Sequence, residues 1–192
     1  MLQPNLLAGA NVQLTALMNA DITTIARWYR DDEFARLLDA LPARPQTETD
    51  LTQWIESQHK ENNTFLLAIR LIDTEDIIGF TEIDGILWNH QTGWITIAIG
   101  DIAYRGKGYG TEALQLVLSF AFRELNLYRV QLTVFSYNER AIALYEQAGF
   151  QREGTYREYI HRDGTRYDMH LYGLLRSEWE TNQNLSKRRN GS

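Results

Sequence analysis

The chain has 192 residues, 44% of them hydrophobic and 23% charged, with a formal net charge of −6 and no cysteine. This is the size and composition of one soluble globular domain; no apolar run approaches the roughly 20 residues of a membrane helix, and disulfides, thiolate metal sites and a cysteine-linked covalent intermediate are all excluded. His59, His90, His161 and His170 form no HxH or HxxxH pair, so no metal is expected, and the acidic balance argues against nucleic acid and for a cationic partner.

The opening segment, MLQPNLLAGANVQL, has no basic region ahead of an apolar block, so no secretory signal is expected and the cytoplasm is the default location. Asn11 to Leu17 alternates apolar Val12, Leu14 and Ala16 with polar neighbours, which predicts a half-buried strand. Asp21 is placed to cap a helix whose apolar face is Ile22, Ile25, Ala26 and Tyr29. A second short helix carries Phe34, Leu37 and Leu38 and is broken by Leu41-Pro42-Ala43-Arg44-Pro45. Thr47 or Thr49 then caps a helix bearing Leu51, Trp54, Ile55 and Gln58.

From Thr64 the period changes. Residues 64–70, 76–84 and 94–100 are rich in Ile, Phe, Thr and Trp, with turn residues between them, and predict three strands. A helix follows over 111–125, with Leu114, Val117, Leu118, Ala121 and Leu125 on one stripe. A strand over 129–135 precedes a helix over 139–148 that ends at Gly149, a suitable C-cap. Two final strands, 155–161 and 166–175, flank Arg162-Asp163-Gly164-Thr165, and an Asp-Gly pair between alternating runs signals a hairpin. The expected fold is α/β (α+β): one mixed sheet with helices against it. Residues 10–180 form the domain. Residues 181–192 read as a disordered polar tail whose Lys187, Arg188 and Arg189 are the one basic cluster.

The turn from the strand ending at Gly100 into the next helix reads Arg105-Gly106-Lys107-Gly108-Tyr109-Gly110-Thr111. Glycines at alternate positions let backbone N–H groups come close to a ligand. The helix adds its partly positive N-terminus, and Arg105 and Lys107 add full charge, so the segment suits a phosphate or pyrophosphate. Residues 108–113 also satisfy GxGxxA, but the strand over 129–135 and the following Ser136 and Tyr137 offer no acid for a ribose, which disfavours a dinucleotide. No Gly-Lys-Ser/Thr triplet exists for a P-loop. Taken alone, the turn could also be a tight bend with solvated charges.

Residues 105–110 resemble the R/Q-x-x-G-x-G/A signature of the GNAT superfamily of N-acetyltransferases. Asn138 to Phe150 is similar to that family's N-x-x-A-x-x-L-Y-x-x-x-G-F segment, and one helix and one strand separate the two, as in the family. Glu153-Gly154, Arg157-Glu158 and residues 163–168 resemble the branch with ribosomal-protein N-terminal acetyltransferases and spermidine acetyltransferases. The resemblance implies a mostly antiparallel sheet, acetyl-CoA as donor, an amine as acceptor and a homodimer. It implies that Arg105, Gly106, Lys107, Gly108, Tyr109, Gly110 and Thr111 hold the pyrophosphate. Asn138 would bond near the pantetheine arm or the helix start, and Tyr145 would face the thioester sulfur. The strand before the turn, with Ile97 and Ile99, would supply backbone contacts, Ile99 N–H stabilising the oxyanion.

Tyr145 suits the proton donor, since a phenol of pKa about 10 stays protonated at neutral pH and can donate to a thiolate of pKa about 8.5; it also shares an apolar helix stripe with Ala141, Leu144 and Ala148 and could simply pack there. Where many relatives carry a strand glutamate as base, this chain has Trp94. Glu82 and Asp84, on one face of the preceding strand, are the alternative bases or else solvated carboxylates; His90 reads as a loop residue. Without a cysteine, direct transfer in a ternary complex is expected. A second reading is a sensor that binds acetyl-CoA without turnover. Trp28, Trp54, Trp88 and Trp94 hint at aromatic acceptor surfaces or serve the core; a peptide N-terminus, a polyamine, an aminoglycoside and a small amine all remain as acceptors.

Overall fold

The computed structural model describes residues 5–190, with side chains described for 5–185. The strand β1 (Val12–Ala16) leads into three helices, α1 (Ile22–Trp28), α2 (Asp32–Leu38) and α3 (Glu48–Lys60). Three strands follow: β2 (Phe65–Leu71), β3 (Ile77–Leu87) and β4 (Thr92–Ile99). Then come α4 (Tyr109–Ser119), β5 (Arg129–Phe135), α5 (Glu139–Ala148), β6 (Gln151–Arg162), β7 (Thr165–Leu175) and α6 (Arg176–Asn190).

Local chemistry accounts for most element ends. Thr47 Oγ1 accepts from Asp50 N (3.1 Å) while the Asp50 carboxylate accepts from Thr47 N (3.2 Å), a reciprocal cap for α3. Gly149, at φ 99°, ends α5 as expected. Asp163 and Gly164, at φ 50° and 76°, form the tight turn of the β6–β7 hairpin. Asp21 departs from its expected role. Its carboxylate does not cap α1 but accepts from Met18 N (2.8 Å) and Arg70 Nη2 (2.6 Å). A hydrogen bond between charged groups is worth about 1.5–3 kcal/mol against about 1 for a cap, so the β2 arginine wins.

The expected helix over 111–125 begins at Tyr109, and its last turn, Phe120–Glu124, is wound as a π-helix, with Leu125 N donating to Phe120 O (3.1 Å). The extra residue turns both Ala121 and Phe122 inward, and Phe122 meets Trp179 of α6 at 5.2 Å. That helix is absent from the sequence reading because Trp179 is its one buried side chain among those described, and one apolar residue makes no stripe. Its backbone continues through the polar tail to Asn190. The Lys187, Arg188 and Arg189 side chains, and residues 191–192, lie outside the described residues.

All seven strands form one sheet in the order β1-β2-β3-β4-β5-β7-β6, antiparallel except where β4 meets β5. One apolar cluster joins the sheet to α4, α5 and α6, and a second joins it to α1, α2 and α3. The mixed, mostly antiparallel sheet flanked by helices therefore agrees with the expected fold class. The parallel pair is short: Thr92, Gly93 and Trp94 face Arg129, Val130 and Gln131, and beyond them the strands diverge. Gly93 sits at the apex, where a Cβ would press on Leu127 (3.2 Å) and Ile86 (3.3 Å).

Candidate active site

The divergence of β4 and β5 opens a cleft with two connected parts. An inner cavity of about 430 Å³ reaches Asp84, Trp94, Phe135 and Tyr145. An outer groove of about 500 Å³ runs over the glycine turn between Arg105 and Thr111. Leu37, Leu38, Ile97, Asn138 and Ala141 line both, so the space is continuous.

The groove is shaped by backbone. Gly106 and Gly108 have φ of 74° and 86°, which glycine adopts without strain, and no atom lies within 4 Å of where either Cβ would stand. The space over the turn is thus open. Gly108 is the N-cap of α4, whose first N–H groups have no partner inside the helix and carry its partial positive charge. Gly110 and Thr111 line the same groove. Lys107 lies over the Tyr104 ring at 5.6 Å, and the Tyr109 ring sits 6.3 Å from that of Tyr104.

Arg105 lines the groove as well, but its guanidinium is tied back to the end of β4 and the start of α2. Its Nε donates to Ile99 O (3.3 Å) and its Nη2 to Gly100 O (3.1 Å), with Asp31 Oδ2 at 3.4 Å and Glu33 Oε2 3.6 Å from Nη1. Nη1 makes no hydrogen bond within the protein. Beside it, Gly100 N donates to Ile78 O (2.9 Å) on the β3 side. Because strand N–H groups alternate, those of Ile97 and Ile99 point the other way, into the cleft. Open glycines, a helix N-terminus and unpaired strand N–H groups suit a long ligand with a phosphate at one end.

The inner cavity is shaped by side chains from distant segments. Asn138 caps α5, its Oδ1 accepting from Ala141 N (3.2 Å), and this sets the helix that carries Tyr145. Tyr145 is 6% exposed, its ring 5.8 Å from Phe150, and burial pushes its phenol up to about 12. Across the cavity, Asp84 pairs with Trp94, whose Cδ1 lies 3.1 Å from where a Gly85 Cβ would stand. Glu82 lies behind Asp84, facing Thr96 in the sheet register. Burial, and then the Asp84 charge, raise its carboxyl to about 7. Burial also raises Asp84 above the usual carboxylate range. The Tyr29 phenol goes up to about 12 through burial, then through the negative charges of Asp39 and Glu82. Burial is the first cause of each shift, and of these three groups Asp84 lines the inner cavity, where a nearby cation would favour its charged form.

Of the tryptophans singled out by sequence, Trp94 faces the cavity. Trp28 fills the position a Gly100 Cβ would need, Trp54 packs on Phe80 at 5.3 Å, and Trp88 packs on Phe65 at 6.4 Å. His90 lies on an exposed turn beside Asn89 (3.2 Å). Phe34, Leu37 and Leu38 were legible as a helix face but not as cleft residues, because contacts remote in sequence place them. Among the described residues, no group of three or more His, Asp or Glu could hold a metal ion, and no helix is long and apolar enough to cross a membrane.

Residues 11–151 match the family described as Acetyltransferase (GNAT) domain. The SPbeta prophage-derived N-acetyltransferase YokL of Bacillus subtilis is 32% identical over 91% of this chain and 95% of its own length. Spermidine N(1)-acetyltransferase of Vibrio cholerae is 30% identical over 70% of this chain and 78% of its own. In fold, the chain is similar to the crystal structure of the Vibrio cholerae spermidine N-acetyltransferase in complex with CoA and spermine. That match has a TM-score of 0.80 at 23% identity and covers 88% of this chain and 97% of the other.

Proposed function

The chain belongs to the GNAT acetyltransferases and is an acetyl-CoA-dependent N-acetyltransferase; from that premise we propose that its acceptor is a cationic primary amine, acetylated by direct attack with both substrates in the cleft. The observation that carries this reading is the continuity of the two spaces, an open phosphate-suited turn at one end and a buried phenol with the Asp84 carboxylate at the other. The likeness to a spermidine acetyltransferase and the Asp84 carboxylate in the cavity make a polyamine the first acceptor to try.

Acetyl-CoA, when bound, supplies an acyl group already activated as a thioester. The N–H groups from Gly106 to Thr111 hold its pyrophosphate, with Lys107 adding positive charge and Arg105 bracing the turn at the end of β4. The N–H groups of Ile97 and Ile99 hold the arm, and Ile99 N–H donates to the carbonyl oxygen as negative charge develops there. Asn138 holds the start of α5 and so the direction of Tyr145. Glu82, directly or through one water, takes a proton from the incoming ammonium, which must lose it before the nitrogen can attack. Asp84 beside it keeps the Glu82 proton affinity high. Tyr145 keeps its own proton throughout the neutral range and gives it to the departing thiolate, and the second proton shed by the nitrogen as the amide forms restores the phenol. The reading includes a cytoplasmic homodimer, which fractionation and light scattering test.

The decisive experiment is CoA release in the presence of polyamines, N-terminal peptides and aminoglycosides, with acetyl-CoA binding measured separately. Initial-rate lines that intersect support a ternary complex, while parallel lines would mean an acetyl-enzyme and overturn direct transfer. Binding without turnover on any acceptor favours the sensor reading.

A further inference from the structure

α2 crosses the cleft between its two parts: Phe34 lines the groove, and Leu37 and Leu38 line both spaces. A helix of seven residues, with Phe34 and Ala35 as its buried side chains, does not hold itself in place. Polar ties do that at each end. At the start, Asp31 Oδ1 accepts from Glu33 N (3.0 Å) and caps the helix, while its Oδ2 faces Arg105 Nη2 at 3.4 Å. Glu33 is shared between Arg105 (3.6 Å) and Arg140 of α5 (3.7 Å). At the far end, Tyr137 Oη donates to Arg36 O (2.6 Å) and Arg36 pairs with Asp163 (2.7 Å). Arg162 Nη2 donates to Asp39 O (3.0 Å) and Leu41 O (2.9 Å).

Arg105 is the junction of these ties with the glycine turn. One guanidinium holds the carbonyls of Ile99 and Gly100, where β4 ends, and also the start of α2. The side chain is 12% exposed although the next residues, Gly106 and Lys107, are exposed. An arginine serving purely as a phosphate counter-ion would extend into the groove. We infer that Arg105, through Asp31 and Glu33, is a positioning residue that registers α2 against the acetyl-CoA turn and thereby sets the acceptor wall made by Leu37 and Leu38.

Two accounts of Asp31 and Glu33 give opposite results. If they merely neighbour the phosphate site, neutralising them removes repulsion, so acetyl-CoA binds more tightly and the acceptor is unaffected. If they position α2, neutralising them loosens the helix and weakens acceptor binding. The test is the double variant Asp31→Asn/Glu33→Gln, which keeps a good cap residue and the side-chain sizes, and so keeps the fold. The positioning role predicts an acceptor KM raised about tenfold with kcat changed less than about twofold, and amide exchange in α2 faster by about tenfold. Arg36→Ala, which cuts the tie to Asp163, produces the same split, and Arg36→Lys restores it in part. The kinetic arm rests on the acetyltransferase reading; the exchange arm does not. If the wild-type protein acetylates no amine, that reading fails and exchange alone decides. Unchanged exchange in α2 overturns the proposal whatever the kinetics, as does an effect confined to acetyl-CoA affinity.

Discussion

The two parts of the cleft are built by different means. The groove over residues 105–111 is almost one continuous stretch of chain, and its ligand-facing groups are backbone N–H groups whose directions follow from two left-handed glycines and one helix start. The inner cavity is lined by two residues each from β3, α2 and α5, three from β5 and four from β4, with Asn138 at the start of α5. A site made of local backbone tolerates change in the rest of the molecule, whereas one made of converging side chains depends on every element that carries them.

That difference can be attacked from each side. The largest effect is expected for Tyr145→Phe. Removing the proton donor lowers kcat by about 10²–10³-fold, while acetyl-CoA affinity, held by the groove, stays within about twofold. A loss of binding as large as the loss of rate would erase the division. Glu82→Gln comes next. Since the carboxylate must be ionised to accept a proton and its pKa is about 7, kcat/KM of the native enzyme rises with pH through about 7. The variant loses about 10–10²-fold above that pH and flattens the limb. Asp84→Asn removes a charge that raises the Glu82 pKa, so the limb moves to lower pH. A limb that stays put excludes Glu82 as its source.

Stability runs the other way with pH. The Glu82 pKa is higher in the folded protein than in the unfolded chain, so its contribution is complete below about 4.5 and is lost as pH rises through about 7. Melting temperature and activity should therefore change in opposite directions across that window, and Glu82→Gln should remove this part of the pH dependence of melting.

Smaller effects are expected in the groove. Gly108→Ala forces φ near 86° on a residue with a Cβ, a cost of about 1–3 kcal/mol. Calorimetry should find acetyl-CoA binding weakened about tenfold, with kcat at saturation nearly unchanged. The smallest effect belongs outside both parts. Thr47→Ala removes the α3 cap and costs about 1 kcal/mol of stability with no kinetic change, which sets the baseline for a purely structural substitution.

The same division explains what could be read from sequence. Thr47, Gly149, the Asp163-Gly164 turn and the glycine turn are local signals, and their consequences stay within a few residues. The groove was legible for that reason, down to the individual glycines. Arg105 was legible as a charge but not as a bracket under the turn, because its partners Asp31 and Glu33 lie some 70 residues away. Leu37 and Leu38 could be assigned to an apolar helix face, yet only the divergence of β4 from β5 makes that face a wall. Asp21 failed as a cap for the same reason, since Arg70 competes from another element. α6 was missed because its packing rests on one tryptophan against a π-turn.

The short parallel pairing also bears on how the domain assembles. β2, β3 and β4 are joined by short turns, as are β6 and β7, and each set can close through contacts near in sequence, whereas β1 reaches β2 across α1, α2 and α3. β4 is joined to β5 at Thr92–Trp94 against Arg129–Gln131, with α4 in the intervening chain. Fewer cross-strand bonds guard this join than any other in the sheet's interior, so it is where native-state opening should begin, ahead of global unfolding. The line along which substrates enter thus coincides with the most thinly bonded seam inside the sheet.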